Sequence, residues 1–410
     1  MSDHGATDRQ AERSEPGAGP ERPFADAELE GFAEEPETDR DAEEPSFLED
    51  PRRLAQTALL VVLIIAAIYV LFPKIVGVEN GIKKLGKGDP LWLAVAVGFG
   101  LTMFASYVAL FRGVVGERVR LNWSESYQIT MAGLAATRLF SAGGAGGIVL
   151  TFWALRRAGM PRKETAARMV AFLVLHYAVY MFTLLIDGIL LRTGVFSGPA
   201  PPGLTVVPAA FGGGVIVLFL LIALVPGDLE RRFSRASQEH FWGRMLRRLA
   251  TVPSTAAVGV REALAFVREP SRGGLAVAGA IGFWAAQIGI LWACFRAFDA
   301  SVPLAVVVQG FFVGMLANLL PLPGGVGGVD AGLIGTFAIF DLPEISGGTL
   351  FAAVFTYRLI AFWLPMLPGI VAFFQLRSTV NRWKVERASP PVGTDVAESL
   401  PGPVTSESKV

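Results

Sequence analysis

The amino-acid sequence predicts an all-α polytopic membrane protein with about six transmembrane helices and two re-entrant hairpins that form an inverted repeat. Hydrophobic residues make up 52% of the 410 residues and charged residues only 18%, whereas about 25% of the residues in a soluble domain are charged. The apolar residues also gather into runs long enough to cross a bilayer, which takes about 20 residues in a helix. Two further apolar runs are interrupted near their centres by clusters of glycine.

Six uninterrupted apolar runs predict the transmembrane helices. They cover residues 54–72, 91–111, 166–191, 204–225, 275–298 and 350–374. The interrupted runs cover residues 127–155 and 302–340. When the spans are threaded alternately through the bilayer, the first interrupted run has cytoplasmic flanks on both sides and the second has external flanks on both sides. We therefore expect each of these runs to enter the membrane and return to the same face as a re-entrant hairpin.

The distribution of lysine and arginine predicts the orientation of the chain in the membrane. Basic loops favour the cytoplasm, and three segments are basic: Arg52-Arg53, 228–272 and 377–387. These segments place both termini in the cytoplasm and the protein in the cell (inner) membrane. One group of basic residues departs from the rule because it falls on the external side: Lys74, Lys83, Lys84 and Lys87.

Composition divides the chain into three parts. Residues 1–50 are acidic and rich in proline and glycine, so we expect a disordered cytoplasmic tail with no secretory signal. Residues 51–377 form the predicted transmembrane domain, and residues 378–410 form a second disordered cytoplasmic tail. Within the transmembrane domain, segment 228–272 interleaves arginines with apolar residues. This pattern favours amphipathic helices on the cytoplasmic leaflet or, equally, a segment that only fixes the topology.

The two glycine clusters match each other and predict a binding site inside the bilayer. Residues 141–147 read SAGGAGG and residues 322–328 read LPGGVGG, and four glycines align at one offset: Gly143, Gly144, Gly146 and Gly147 with Gly324, Gly325, Gly327 and Gly328. Together with their opposite sidedness, this match indicates an inverted-topology repeat. Glycines let a phosphate approach the backbone, and a half-helix that follows points its positive end at the anion. Close packing of helices through small residues is the alternative, and it accounts less readily for Pro321 and Pro323.

Four ionisable residues lie within the apolar runs, where charges are costly and are functional candidates. They are Arg138, Asp187, Asp330 and Arg358. Because arginine makes bidentate contacts with phosphate, we expect Arg138 and Arg358 to bind a lipid headgroup. Asp187 and Asp330 are candidates for a proton or charge relay, or for neutralising the arginines when the site is empty; a structural ion pair is the alternative. A further titratable residue, His176, lies on an apolar helix and is expected to be part of the core.

Other classes of function lack a motif in this sequence. The three histidines are widely separated and Cys294 is the one cysteine, so we expect no metal site and a packing role for that cysteine. We also expect no cofactor, no catalytic residue and no nucleic-acid partner.

Two segments resemble a known family. Residues 318–330, NLLPLPGGVGGVD, and 357–365, YRLIAFWLP, resemble the lysylphosphatidylglycerol synthase transmembrane region family, and the resemblance extends over roughly residues 52–377. The family includes the flippase-like half of the multiple peptide resistance factor, which moves aminoacylated phosphatidylglycerol between leaflets, and related domains work beside glycosyltransferases that act on lipid carriers. The resemblance adds Pro323 and Tyr357 to the candidate site. This sequence has Asp330 where the family usually has glutamate, its first break has no proline, and it contains no soluble aminoacyl-transfer domain, so we do not expect lysyl transfer.

The sequence therefore favours a flippase-like protein that binds or translocates an anionic phospholipid or a lipid-linked precursor between leaflets. Its expected partners are membrane lipids. Two alternatives from other classes stay open: an integral membrane transferase, or accessory subunit of one, that acts on a lipid carrier; and a scaffold that recruits a cytoplasmic partner through the acidic tail.

Overall fold

A computed structural model describes residues 85–116, 119, 121–139, 145–224, 241–319, 325, 327–343 and 345–388. The predicted N-terminal tail, the first predicted span at 54–72 and residues 389–410 lie outside the described residues. The described part of the chain is helical and contains no β-strand. Its helices are α1 Pro90–Val115, α2 Trp123–Leu139, α3 Ala145–Arg157, α4 Arg162–Arg192, α5 Pro202–Ala223, α6 Phe241–Arg268, α7 Pro270–Ala297, α8 Leu304–Met315, α9 Gly328–Ile339, α10 Gly347–Arg358 and α11 Met366–Ala388.

Side-chain caps explain where several helices begin. The Asp89 carboxylate accepts a hydrogen bond from the backbone at the start of α1. Before α2, Asn122 and Glu125 each accept the other's backbone N–H at 2.8 Å, which is a capping box. The Ser346 hydroxyl accepts the N–H of Thr349 at the start of α10. These bonds satisfy N–H groups that the first turn of a helix leaves without a partner.

Five helical segments in the described chain are long and apolar enough to cross a membrane. They are α1, α4, α5, α7 and the continuous segment Gly347–Trp383, which joins α10 to α11. These segments coincide with five of the six predicted spans, and the sixth is the span that lies outside the described residues. The all-α, multi-pass membrane architecture that the sequence predicts is thus confirmed.

Each interrupted apolar run forms a pair of short packed helices. The first pair is α2 with α3, of 17 and 13 residues, and the second is α8 with α9, of 12 residues each. At about 1.5 Å per residue, these helices are all shorter than the roughly 30 Å hydrocarbon core. The first pair meets where a β-carbon on Gly147 would strike Thr137 and Gly133, and the second where a β-carbon on Gly314 would lie 2.8 Å from the Leu333 Cα.

The offset between the two glycine clusters also relates the helices on either side of them. Gly143 and Gly324 are 181 residues apart. When 181 is added to the bounds of α1, α2 and α3, the shifted ranges are 271–296, 304–320 and 326–338. The observed helices are α7, then α8 with a 3₁₀ turn to Leu319, then α9. The same shift carries α4 onto α10 and the first part of α11. The matching segments therefore extend over four consecutive elements of each half.

The corresponding first helices of the two halves, α1 and α7, run in opposite directions. A β-carbon on Gly113 of α1 would lie 2.7 Å from the Ala276 Cα of α7, and near the other end a β-carbon on Gly289 of α7 would lie 2.7 Å from the Phe99 ring. The N–H of Asp89 donates to the carbonyl of Ala297 beyond that end. Since the contacts advance along α1 as they retreat along α7, these corresponding helices are antiparallel. This is the geometry of an inverted repeat whose pseudo-twofold axis passes between them.

Two segments differ from their predicted form. The second half of α6, within the predicted basic segment 228–272, is buried in the helical bundle, and Glu262 is 0% exposed. Its carboxylate accepts hydrogen bonds from Arg168 at 2.7 Å and Arg272 at 3.1 Å. The second half of α6 is therefore packed against α4 and α7 inside the bundle, and it does not lie only on the membrane surface. In addition, α11 continues to Ala388, past residue 377, where we predicted the second tail to begin.

Candidate functional site

The second half of the repeat holds a buried ion pair. Arg358, the last residue of α10, places its Nε 3.1 Å from Oδ1 of Asp330 in the first turn of α9. Both side chains are less than 10% exposed. One of the candidate acids thus pairs with one of the candidate bases, as the sequence allowed.

Asp330 also caps its own helix. Its Oδ2 accepts the N–H of Gly327 at 2.9 Å, immediately before α9 begins. Gly327 and Gly325 have φ values of 79° and 64°, in the left-handed region where a side chain would be strained. The glycines of the second break therefore shape a turn that brings this carboxylate over the positive N-terminal end of α9. In this state the chain's own carboxylate occupies the place that we predicted for a phosphate.

Arg138 reaches the same region from the last turn of α2. Its Nη2 donates to the carbonyl of Ala361 at 2.9 Å, and its Nη1 donates to the carbonyl of Phe362. These carbonyls lie in a π-helical turn, Leu359–Trp363, that follows α10. Pro365 has no N–H, so it cannot satisfy the carbonyl four residues earlier, and Arg138 supplies the missing donor.

The two arginines share one aromatic ring. The guanidinium carbon of Arg138 lies 4.8 Å from the centroid of the Phe362 ring, and that of Arg358 lies 4.5 Å from it. The two cations therefore lie within about 9 Å of each other, both in cation–π contact. Arg138 contacts carbonyls and rings but no carboxylate among the described residues. The two guanidinium groups and Asp330 make a cluster whose net formal charge is +1, which we call the arginine centre.

The other predicted site residues have different surroundings. Tyr357 is 2% exposed and its hydroxyl donates to Oε1 of Gln287 at 2.7 Å, so it ties α10 to α7. Gly146 and Gly147 are buried in α3, and Gly147 lies where α3 packs on α2, which fits the alternative of packing through small residues. Gly328 begins α9. Four residues lie outside the described residues: Gly143, Gly144, Pro323 and Gly324.

Asp187 is not part of the arginine centre. It lies near the far end of α4, is 6% exposed and has an Oδ2 with no hydrogen-bond partner among the described residues. Its helix neighbour Gly188 packs against α5 and Gln309 of α8. The sequence grouped Asp187 with Asp330 as one relay, and the structure places the two acids against different helices.

A cavity of about 170 Å³ lies between α1, α2, α3 and α4. Its lining is mainly apolar and extends from Arg168 to Tyr177 of α4, with Tyr107 and Thr137 among the polar members. His176 also lines it, within ring-contact distance of Tyr107, Phe172 and Trp284. This aromatic environment agrees with the prediction that His176 belongs to the core. Cys294 is fully buried in the core as well.

Two residues of the arginine centre, Phe362 and Pro365, are not among the candidates predicted from the sequence. Both lie in the apolar run 350–374, which predicts one uninterrupted span. The proline inside that span was the available signal, because an interior proline leaves a carbonyl without its helical donor. That Arg138, more than 200 residues earlier, supplies the donor depends on tertiary packing, which the sequence pattern does not encode.

Comparisons with known proteins agree with this architecture. The family model described as "Lysylphosphatidylglycerol synthase TM region" matches residues 57–369. A UPF0104 membrane protein of Methanothermobacter thermautotrophicus is 33% identical over 93 residues, which is 22% of this chain and 26% of the relative. The matched segment thus spans about a quarter of that relative's length. Because the family model covers most of the chain and both break regions, the chain belongs to the lysylphosphatidylglycerol synthase TM region family.

Proposed function

We propose that this protein binds the headgroup of an anionic phospholipid or lipid-linked precursor at the arginine centre and moves the lipid between leaflets. The observation that carries the proposal is the net positive charge of a cluster in which Arg358 is buried, Arg138 is half-buried, and Arg138 has no carboxylate partner among the described residues. A cation that is partly withdrawn from water gains more from an anion than the same cation in water, because the local dielectric constant is lower. A phosphate would supply that charge.

The geometry suggests how such an anion is exchanged. Asp330 holds both Arg358 and the N–H of Gly327, and a phosphate oxygen can accept from the same two donors. An incoming headgroup would therefore replace Asp330, with Arg138 providing the second guanidinium. When the headgroup leaves, Asp330 returns, so the emptied site does not hold two uncompensated cations in the bilayer. Asp330 thus acts as an internal competitor of the lipid.

The paired short helices support a re-entrant arrangement. Each of them is too short to cross the hydrocarbon core by itself, and the helices α1 and α7 that precede the two pairs are antiparallel. In our proposal α2–α3 enters from the cytoplasmic face and α8–α9 from the external face of the cell (inner) membrane. Both termini are then cytoplasmic. In the proposal, the arginine centre, formed by the last turn of α2, the end of α10 and the start of α9, is reached from both leaflets.

The cavity beside α4 supports a lipid as the ligand. Its lining is mainly apolar and includes Thr137, the residue next to Arg138. An amphiphile that placed its phosphate at Arg138 would have an apolar space for part of an acyl chain close by, whereas a free phosphate would leave that space unused.

Native mass spectrometry of the purified protein with phosphatidylglycerol or phosphatidylcholine tests the proposal. We expect Arg138→Gln to weaken phosphatidylglycerol binding roughly 10- to 100-fold, because hydrogen bonds to charged groups contribute about 1.5–3 kcal/mol. Arg138→Lys should lose less, since it keeps the charge but not the bidentate geometry. Arg138 suits this test because its removal leaves no buried carboxylate unpaired.

Arg112→Gln is the matched control. Arg112 donates to the carbonyl of Leu121 and lies 4.6 Å over the ring of Trp123, so it has the same kinds of contact outside the arginine centre. Equal phosphatidylglycerol retention by the Arg138→Gln and Arg112→Gln variants would refute the proposal.

A further inference from the structure

The interface of α4 with α5 and α8 holds two buried oxygens that have no hydrogen-bond partner among the residues that the structure describes. One is Oδ2 of Asp187, a residue 6% exposed, and the other is Oε1 of Gln309, a residue 0% exposed. Both atoms are acceptors when the carboxyl group is ionised. Burial of an acceptor without a donor costs free energy, and burial of a charge without a partner costs more. Each of these oxygens therefore calls for a donor or a cation.

The orientation of the Gln309 amide is fixed by a proline. Pro208 lies inside α5 and has no N–H for the carbonyl of Leu204, four residues earlier. The Nε2 of Gln309 donates to that carbonyl at 2.8 Å. Exchanging the amide nitrogen and oxygen would set two acceptors against each other, so the observed orientation is the one that the bonding requires. Oε1 is consequently left as an acceptor inside the protein.

Asp187 lies on the side of α4 that faces α8, close to Gln309. A β-carbon on Gly188, the next residue, would lie 3.2 Å from the Gln309 Nε2. Two turns before Asp187, the hydroxyl of Tyr180 donates to the carbonyl of Phe312 in α8. Residues seven apart lie on the same face of a helix, so Asp187 faces α8 as Tyr180 does. The carboxylate and the amide oxygen thus belong to one interface.

No basic side chain neutralises Asp187 among the described residues. The helices α5 and α8 contain no ionisable residue, and α1, α3 and α6 contact the other half of α4, around residues 167–177. At the outer end of α7, Cys294 is buried in the core and Arg296 is exposed over Trp292. On α4 itself, Arg192 is exposed. Within the part of the chain that the structure describes, the negative charge at Asp187 therefore lacks a fixed counter-ion.

We propose that Asp187 and Gln309 form a site for a small cation, either a proton or a sodium ion. A proton would convert the Asp187 carboxylate into a donor for a neighbouring acceptor, and a sodium ion would take both oxygens as ligands, as hard cations do. Asp187 is five residues, about 7.5 Å, from the end of α4, on the side that our orientation places outside. Coupling of this cation to lipid movement rests on the proposed lipid function, whereas the site itself does not.

Thermal unfolding of the full chain in detergent tests the site without any lipid substrate. For a bound proton, wild-type protein loses stability as the pH rises, and for bound sodium it gains stability in NaCl compared with choline chloride. Well above the dissociation constant, each tenfold change in cation concentration changes the folding equilibrium constant about tenfold. We expect Asp187→Asn to lose this response. Asp299→Asn is the control, because Asp299 is exposed and its φ of 58° suits asparagine.

If Asp187→Asn does not fold, a second pair of variants tests the site through Gln309. In Pro208→Ala, the new N–H satisfies the Leu204 carbonyl, so Gln309→Met in that background removes Oε1 without leaving the carbonyl unpaired. We expect Pro208→Ala to keep the cation response and the double variant to lose it. A response in either Asp187→Asn or the double variant that equals the wild-type response would overturn the proposed site, as would a wild-type protein that responds to neither cation. Because the readout needs no lipid, that result would leave lipid binding at Arg138 standing.

Discussion

Replacing Glu262 with glutamine removes one negative charge from between two buried or half-buried arginines. The carboxylate of Glu262 is 0% exposed and accepts from Arg168 at 2.7 Å and from Arg272 at 3.1 Å. Arg168 is itself 4% exposed, so its charge loses its carboxylate partner inside the bundle. Removal of one member of a buried ion pair costs about 3–5 kcal/mol, and we expect a loss of that size in the free energy of unfolding.

The assay is chemical or thermal unfolding in detergent micelles, with Glu269→Gln as the control. Glu269 follows α6 directly and makes no side-chain capping hydrogen bond at the start of α7, so its replacement should cost less than about 0.5 kcal/mol. The double variant Arg168→Gln/Glu262→Gln should cost less than the sum of the two single changes, because the members of the pair are coupled. Equal, small effects of the Glu262 and Glu269 changes would show that α6 is not anchored in the bundle as described.

Two further predictions concern the repeat interface and the arginine centre. Gly279→Val should destabilise the fold by about 1–3 kcal/mol or more in the same unfolding assay, because its β-carbon would lie 2.7 Å from the Leu110 Cα. The control is Gly214→Val, since nothing lies within 4 Å of a β-carbon on Gly214. Similar losses of stability in the two variants would contradict the close α1–α7 contact. Asp330→Asn keeps an oxygen for the N–H of Gly327 but removes the negative charge that competes for Arg358. In native mass spectrometry, phosphatidylglycerol binding should therefore tighten roughly tenfold while phosphatidylcholine binding stays the same. Weaker phosphatidylglycerol binding would contradict the exchange of Asp330 for a lipid phosphate.

Much of the fold follows from hydropathy alone. Residues 91–111, 166–191, 204–225, 275–298 and 350–374 were predicted as spans, and a transmembrane-length helical segment covers each of them almost entirely. Lipid imposes this regularity, because a spanning segment must satisfy its own backbone hydrogen bonds. The pairing of α1 with α7 was not predicted, since glycines reveal that helices approach closely but not which helices meet.

The candidate site was predictable in its charges but not in its contacts. An arginine or aspartate in an apolar run is conspicuous, and Asp330 and Arg358 do pair. The partners of Arg138 are backbone carbonyls exposed by Pro365 in a distant helix, and a residue's type gives no sign of such a bond. Glu262 was not predicted as a buried residue because it lies in a basic segment that we expected at the surface. A carboxylate at a protein surface is common and gives no sign of a buried ion pair.

Translocation of a fluorescent phosphatidylglycerol in reconstituted vesicles measures whether the arginine centre moves a lipid between leaflets. Lipid in the inner leaflet is protected from a quencher added outside, so the quenched fraction reports movement between leaflets. We expect vesicles with wild-type protein or Arg112→Gln to move the lipid, and vesicles with Arg138→Gln to move it at least roughly tenfold more slowly. Wild-type vesicles no faster than protein-free vesicles, or an Arg138→Gln variant as fast as the wild type, would contradict this expectation.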